Sequence, residues 1–109
     1  MKPVDTARLN KALVGYTELL RFDLMRDDHD GFHLKLVLGR HGENAQLTLV
    51  CRDVQNLELN PAGNGFAQLA RLEVEDLRED GLERIHFSLE EIERESLFLH
   101  CAEIELEMA

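Results

Sequence analysis

Leu97-Phe98-Leu99-His100-Cys101-Ala102-Glu103-Ile104-Glu105-Leu106-Glu107-Met108 decides the reading of this chain. Apolar residues recur at every second position through Cys101, step by three to Ile104, and then alternate strictly with glutamate. A period of two marks a strand with one face buried. The three-residue step marks one extra residue, a bulge at which the strand changes phase. Leu47-Thr48-Leu49-Val50-Cys51-Arg52-Asp53-Val54 repeats the pattern, with the same step from Cys51 to Val54. There the step fits a bulge, or a break into two shorter strands.

Working outward from these runs, the period stays at two over most of the chain. Leu20, Phe22 and Leu24 alternate with Arg21, Asp23 and Met25, and Phe32, Leu34, Leu36 and Leu38 alternate with His33, Lys35 and Val37. The Asp27–Gly31 segment between them is a polar turn, so the two runs form a hairpin. Leu72 and Val74 belong to a further strand, as do Ile85, Phe87 and Leu89. Between them Glu79-Asp80-Gly81 supplies a turn. Ser88-Leu89-Glu90-Glu91 resembles a capping box, but its acidity and lack of an apolar face favour an exposed loop through Arg94. Asn60–Gly65 is a second loop, with one proline and two glycines in six residues.

Only the N-terminal segment has a helical period. Asp5 or Thr6 can cap it, Leu9 and Leu13 share one face, and Gly15 can end it. So short a helix needs a surface to pack on. The expected fold is therefore mainly β: an antiparallel β-sandwich or open barrel of six to seven strands with one short N-terminal helix. Strands joined by turns exclude a doubly wound parallel sheet. At 109 residues, residues 1–109 form a single domain with one core.

The formal net charge is −10, unevenly spread. Residues 1–70 hold eight Lys/Arg against nine Asp/Glu, whereas residues 71–109 hold four against thirteen. Nucleic acid is excluded as a direct partner, because phosphate binding needs a basic surface. An anionic membrane is excluded for the same reason. A basic protein partner suits the acidic C-terminal third, although solubility alone also explains an acidic surface. No apolar run nears the ~20 residues of a membrane span, and residues 1–5 lack an export-signal layout, so a cytoplasmic protein with reduced thiols is expected.

Little here carries chemistry. Cys51 and Cys101 continue the inward phase of their strands, and without a Cys-x-x-Cys motif they read as small buried hydrophobes. His100 should point to the opposite face from Cys101. The histidines at 29, 33, 41, 86 and 100 form no helical His-x-x-x-His pair. No metal, cofactor or catalytic residue is implied, and the chain reads as no enzyme. Glu73, Glu75, Glu103, Glu105 and Glu107 face outward if the apolar residues face in. On neighbouring strands they would form an acidic stripe with some repulsive cost, a docking face for a basic partner. Otherwise they are a solvated face that discourages edge pairing.

Glu83-Arg84-Ile85-His86-Phe87-Ser88-Leu89, an acidic connector, and then Phe98 to Glu105 resemble small bacterial all-β proteins of unknown function. Some of these are classed as immunity proteins of polymorphic toxin systems. The resemblance covers roughly residues 16–107 in strand order and brings no catalytic motif. It implies an inhibitor that binds a basic toxin by charge complementarity. Two other readings remain open. One is a small-ligand-binding domain with a pocket lined by Leu13, Phe22 and Phe87. The other is a homo-oligomeric module joined through exposed strand edges.

Overall fold

The computed structural model of the chain describes residues 5–27, 31–40, 42–60, 71–81, 83–93 and 95–108. Helix α1 (Thr6–Leu13) precedes seven strands: β1 (Glu18–Asp27), β2 (Gly31–Gly39), β3 (Gln46–Leu59), β4 (Leu72–Asp76), β5 (Phe87–Glu91), β6 (Leu97–Cys101) and β7 (Glu103–Met108). All pairs are antiparallel. The order is β1-β2-β3-β6-β5-β4, with β7 also on β3. The sheet does not close into a barrel. Residues 28–30 of the expected Asp27–Gly31 turn, and residues 61–65 of the expected Asn60–Gly65 loop, lie outside the described residues.

The fourteen-residue β3 belongs to two half-sheets. Its first part pairs with β2 on one side and β7 on the other, and its last part pairs with β6. β6 and β7 are one strand kinked at Ala102, whose N–H donates to the Arg52 carbonyl at 3.0 Å. Pairing passes from Arg52–Glu103 to Gln55–His100 without a slip, so the two long strands bend together. β3 is bulged rather than broken, its extra residue lying opposite β2 between the Phe32–Val54 and Leu34–Cys51 pairs. Asp53 (φ 56°) and Asn56 (φ 55°) take the left-handed backbone that such a bend needs. These are residue types that tolerate it. Asp53 is only 9% exposed, and the Arg84 guanidinium grips its carboxylate at 2.6 and 2.7 Å. The bend is thereby tied to the segment ahead of β5.

Register sorts the side chains into rows. In the first half-sheet Phe22, Leu36, Leu49 and Leu106 lie side by side on the inner face, and so do Leu24, Leu34, Cys51 and Ile104. In the second, Val74, Leu89 and Leu99 do the same. Leu9 and Leu13 of α1, with Tyr16 and Phe87, complete one core. Truncating a fully enclosed leucine such as Leu49 to alanine costs about 2–5 kcal/mol.

α1 starts as expected, with the Asp5 carboxylate accepting from the Arg8 N–H. It ends at Gly15 (φ +89°), where a Cβ would also come within 2.8 Å of Arg40. Arg40 donates to the Val14 carbonyl and lies over the Tyr16 ring, fixing the helix exit. α1 packs on β4, the outermost strand of the second half-sheet. Asn10 there acts as a substitute strand. Its Oδ1 accepts from the Val74 N–H at 2.6 Å and its Nδ2 donates to the Val74 carbonyl at 2.8 Å. A free edge invites unwanted pairing, and this amide closes it.

Two sequence expectations are corrected. Alternation points Leu20 inward, but a bulge between Leu19 and Arg21 puts it on the surface, 49% exposed. Ser88–Glu91 was assigned to an exposed loop, yet these residues are strand, and Glu91 is completely buried. Its carboxylate accepts from the Glu93 N–H at 3.1 Å, and from the Ser96 N–H and hydroxyl at 3.3 and 3.2 Å. Buried donors left unpaired cost more than a bond gains. The carboxylate thus sets the β5–β6 turn that the acidic composition disguised as a loop.

Asn10→Ala should therefore destabilise the fold by about 1–3 kcal/mol and raise aggregation by reopening the β4 edge, measured by denaturant midpoint and light scattering. Glu91→Gln should cost a similar ~1–3 kcal/mol, because its amide NH2 cannot accept from all three donors. A denaturant midpoint unchanged from wild type would refute the role given to Glu91.

Candidate functional site

Alternation puts the five outward glutamates at the surface, and all are exposed. They do not form one stripe, because β4 and β7 are not neighbours. Glu103, Glu105 and Glu107 line the outer face of β7, opposite Arg52, Val50 and Thr48 of β3. Arg52 reaches Glu105 at 3.5 Å, so one guanidinium partly offsets three carboxylates. That pair is half exposed and contributes little to stability.

Glu73 and Glu75 stand on the outer face of the second half-sheet, in different company. Register places Glu73 opposite Glu90, Glu90 opposite Phe98, and Phe98 opposite Glu58. Four strands about 4.8 Å apart thus carry an aromatic ring among three carboxylates. Like charges directly opposite one another are unfavourable, so the Glu73–Glu90 pair stores a repulsion. No ion pair joins either of these, or Glu58, to a cation among the described residues. Phe98 forms part of a shallow, open pocket of about 310 Å³ with Glu58, Asn60, Glu90, Glu95 and Leu97. The His100 ring meets Phe98 edge-on at 4.9 Å and 82°, while its Nδ1 is 3.0 Å from Asn56 Nδ2. His100 is therefore turned away from Cys101, as expected, and packs against a ring that lines the pocket.

Glu58, Glu90 and Glu95 were not legible as site residues. Glu90 was hidden by the loop assignment of residues 88–94, and Glu58 by the phase change after Cys51. The repeated glutamates of residues 90–95 were the one available signal. At the end of β4, hydrogen bonds from the Arg78 side chain and backbone hold the Asp76 carboxyl below its usual range. Arg78 also lies over the Phe87 ring at 5.1 Å.

Nucleophilic chemistry has little support. Cys51 and Cys101 are free and fully buried. A hydrogen bond with the Cys101 thiol, and then burial, push the Cys51 thiol well above its ordinary range. A thiol so held is a poor nucleophile. His86 Nδ1 lies 3.0 Å from the Ala102 carbonyl. Among the described residues no three His, Cys, Asp or Glu side chains gather as a metal site would need; His29 and His41 lie outside them. Leu13 and Phe87 are packed into the core and Phe22 is half-buried, which leaves the proposed ligand pocket without a structural argument.

The chain thus presents two acidic outer faces, one with a depression lined in part by Phe98. Comparison with curated proteins and with solved structures gives no match. The family model for Immunity protein PIM8 matches residues 4–107, nearly the whole chain, and the chain therefore belongs to that immunity-protein family.

Proposed function

We propose that the protein inhibits a toxin by binding it, without catalysis of its own, and that basic groups of the toxin meet the acidic faces. Family membership supports the toxin-binding role. The single observation that carries the electrostatic part is the outer row Glu73–Glu90–Phe98–Glu58, with Glu95 at its rim. Its carboxylates repel one another in the free protein. A guanidinium or ammonium group seated over Phe98 would relieve that repulsion and gain a cation–π contact. The repulsion is thereby exchanged for affinity, and the acidic C-terminal third steers the encounter. Two buried thiols in contact without a disulfide suit the reducing cytoplasm.

The test uses a toxin against which the protein protects in a growth assay, as purified protein and in that assay. Glu58→Lys combined with Glu90→Lys should raise the dissociation rate and abolish protection. Glu103→Lys with Glu105→Lys should slow association about tenfold at low salt and flatten its salt dependence, with less effect on dissociation. If neither pair alters a rate or its salt dependence, the acidic faces are solubilising surface only.

A further inference from the structure

The ten-residue β1 is the outer strand of the first half-sheet and pairs with β2 only. Nothing among the described residues closes its other edge as Asn10 closes that of β4. Its inner row is also incompletely covered, with Leu19 and Phe22 half-buried and Leu24 43% exposed. Long free edges are usually guarded by uncompensated charge. Here Arg21 and Asp23 neutralise one another across 2.6 Å.

The sequence of this edge is its own charge-inverted mirror image. Outward from Phe22 in both directions the residues match as Arg21 with Asp23, Leu20 with Leu24, Leu19 with Met25, and Glu18 with Arg26. We propose that a second copy of the chain pairs antiparallel with this edge, the two-fold axis passing through Phe22. Arg21 of each copy then faces Asp23 of the other on the outer side, and Phe22 faces Phe22 on the inner side. The bulge at Leu20 absorbs one residue, so Leu19 meets the other copy's Leu24 on the inner face. In this register the central charges and the inner-row residues are matched, and the two first half-sheets become one continuous sheet across the axis. The pairing stands independently of toxin binding, because the acidic faces lie on other strands.

Sedimentation velocity of the full chain alone, over a concentration series, tests the proposal. The wild type should form a dimer in a concentration-dependent way. Arg21→Asp alone and Asp23→Arg alone should each weaken it roughly tenfold or more, since like charges then face each other twice. An equimolar mixture of the two variants should restore the dimer, because an all-acidic edge then faces an all-basic one. Circular dichroism confirms that each variant is folded. A wild type monomeric at every concentration overturns the proposal, including one that takes up a strand from the toxin instead. So does a dimer that survives both single variants, or a mixture that fails to recover it.

Discussion

The fold depends on two phase breaks that face each other. Cys51 to Val54 and Cys101 to Ile104 are both steps of three between buried residues, in strands that must keep alternate residues inside. A single such step would turn one strand's apolar face to water beyond it. Because Cys51 pairs with Ile104 and the register runs unbroken past Ala102, the two steps cancel. Both strands bend and both keep their inner faces apolar. The bend leaves β3 with β2 as neighbour on one half, while β5 joins β6 on the other, producing two half-sheets over one core. The left-handed Asp53 and its clamp to Arg84 hold the corner where that exchange occurs.

Much of this was legible because it is local. A period of two, a step of three and a capped helix are properties of neighbouring residues, and all three reappear in the structure. The bulge at Leu20 was not, since Leu19 and Leu20 are both apolar and either can serve as the inward residue. Only pairing with β2 settles it. Glu91 was misjudged for a related reason. A glutamate among glutamates reads as solvated, and only the chain's return through Ser96 supplies the donors that make burial tolerable. The candidate site suffered most. Which glutamates share a face depends on strand order, and β4 and β7 are separated although their sequences look alike.

The carboxylates of this chain fall into two groups by the donors around them. Where stability needs a carboxylate, the chain supplies donors: Arg84 for Asp53, Arg78 for Asp76, backbone and hydroxyl for Glu91. Where the outer face carries Glu73, Glu90 and Glu58, no ion pair to a cation is found among the described residues. The same residue type thus serves as an internal tether and as an external field, according to the company that topology gives it.

The contact between Asn10 and Val74 spans 64 residues, and it has a temporal side. Because β4 is outermost in its half-sheet, its pairing waits for β5, and β5 in turn pairs with β6, near the end of the chain. α1, made before β4, β5 and β6, is accordingly among the last of these elements to find its place, since such distant contacts follow closure of the intervening loops. Until then the helix is a short, marginal segment and the β4 edge lies open. The docking of α1 is thus timed by the pairing of β5 with β6.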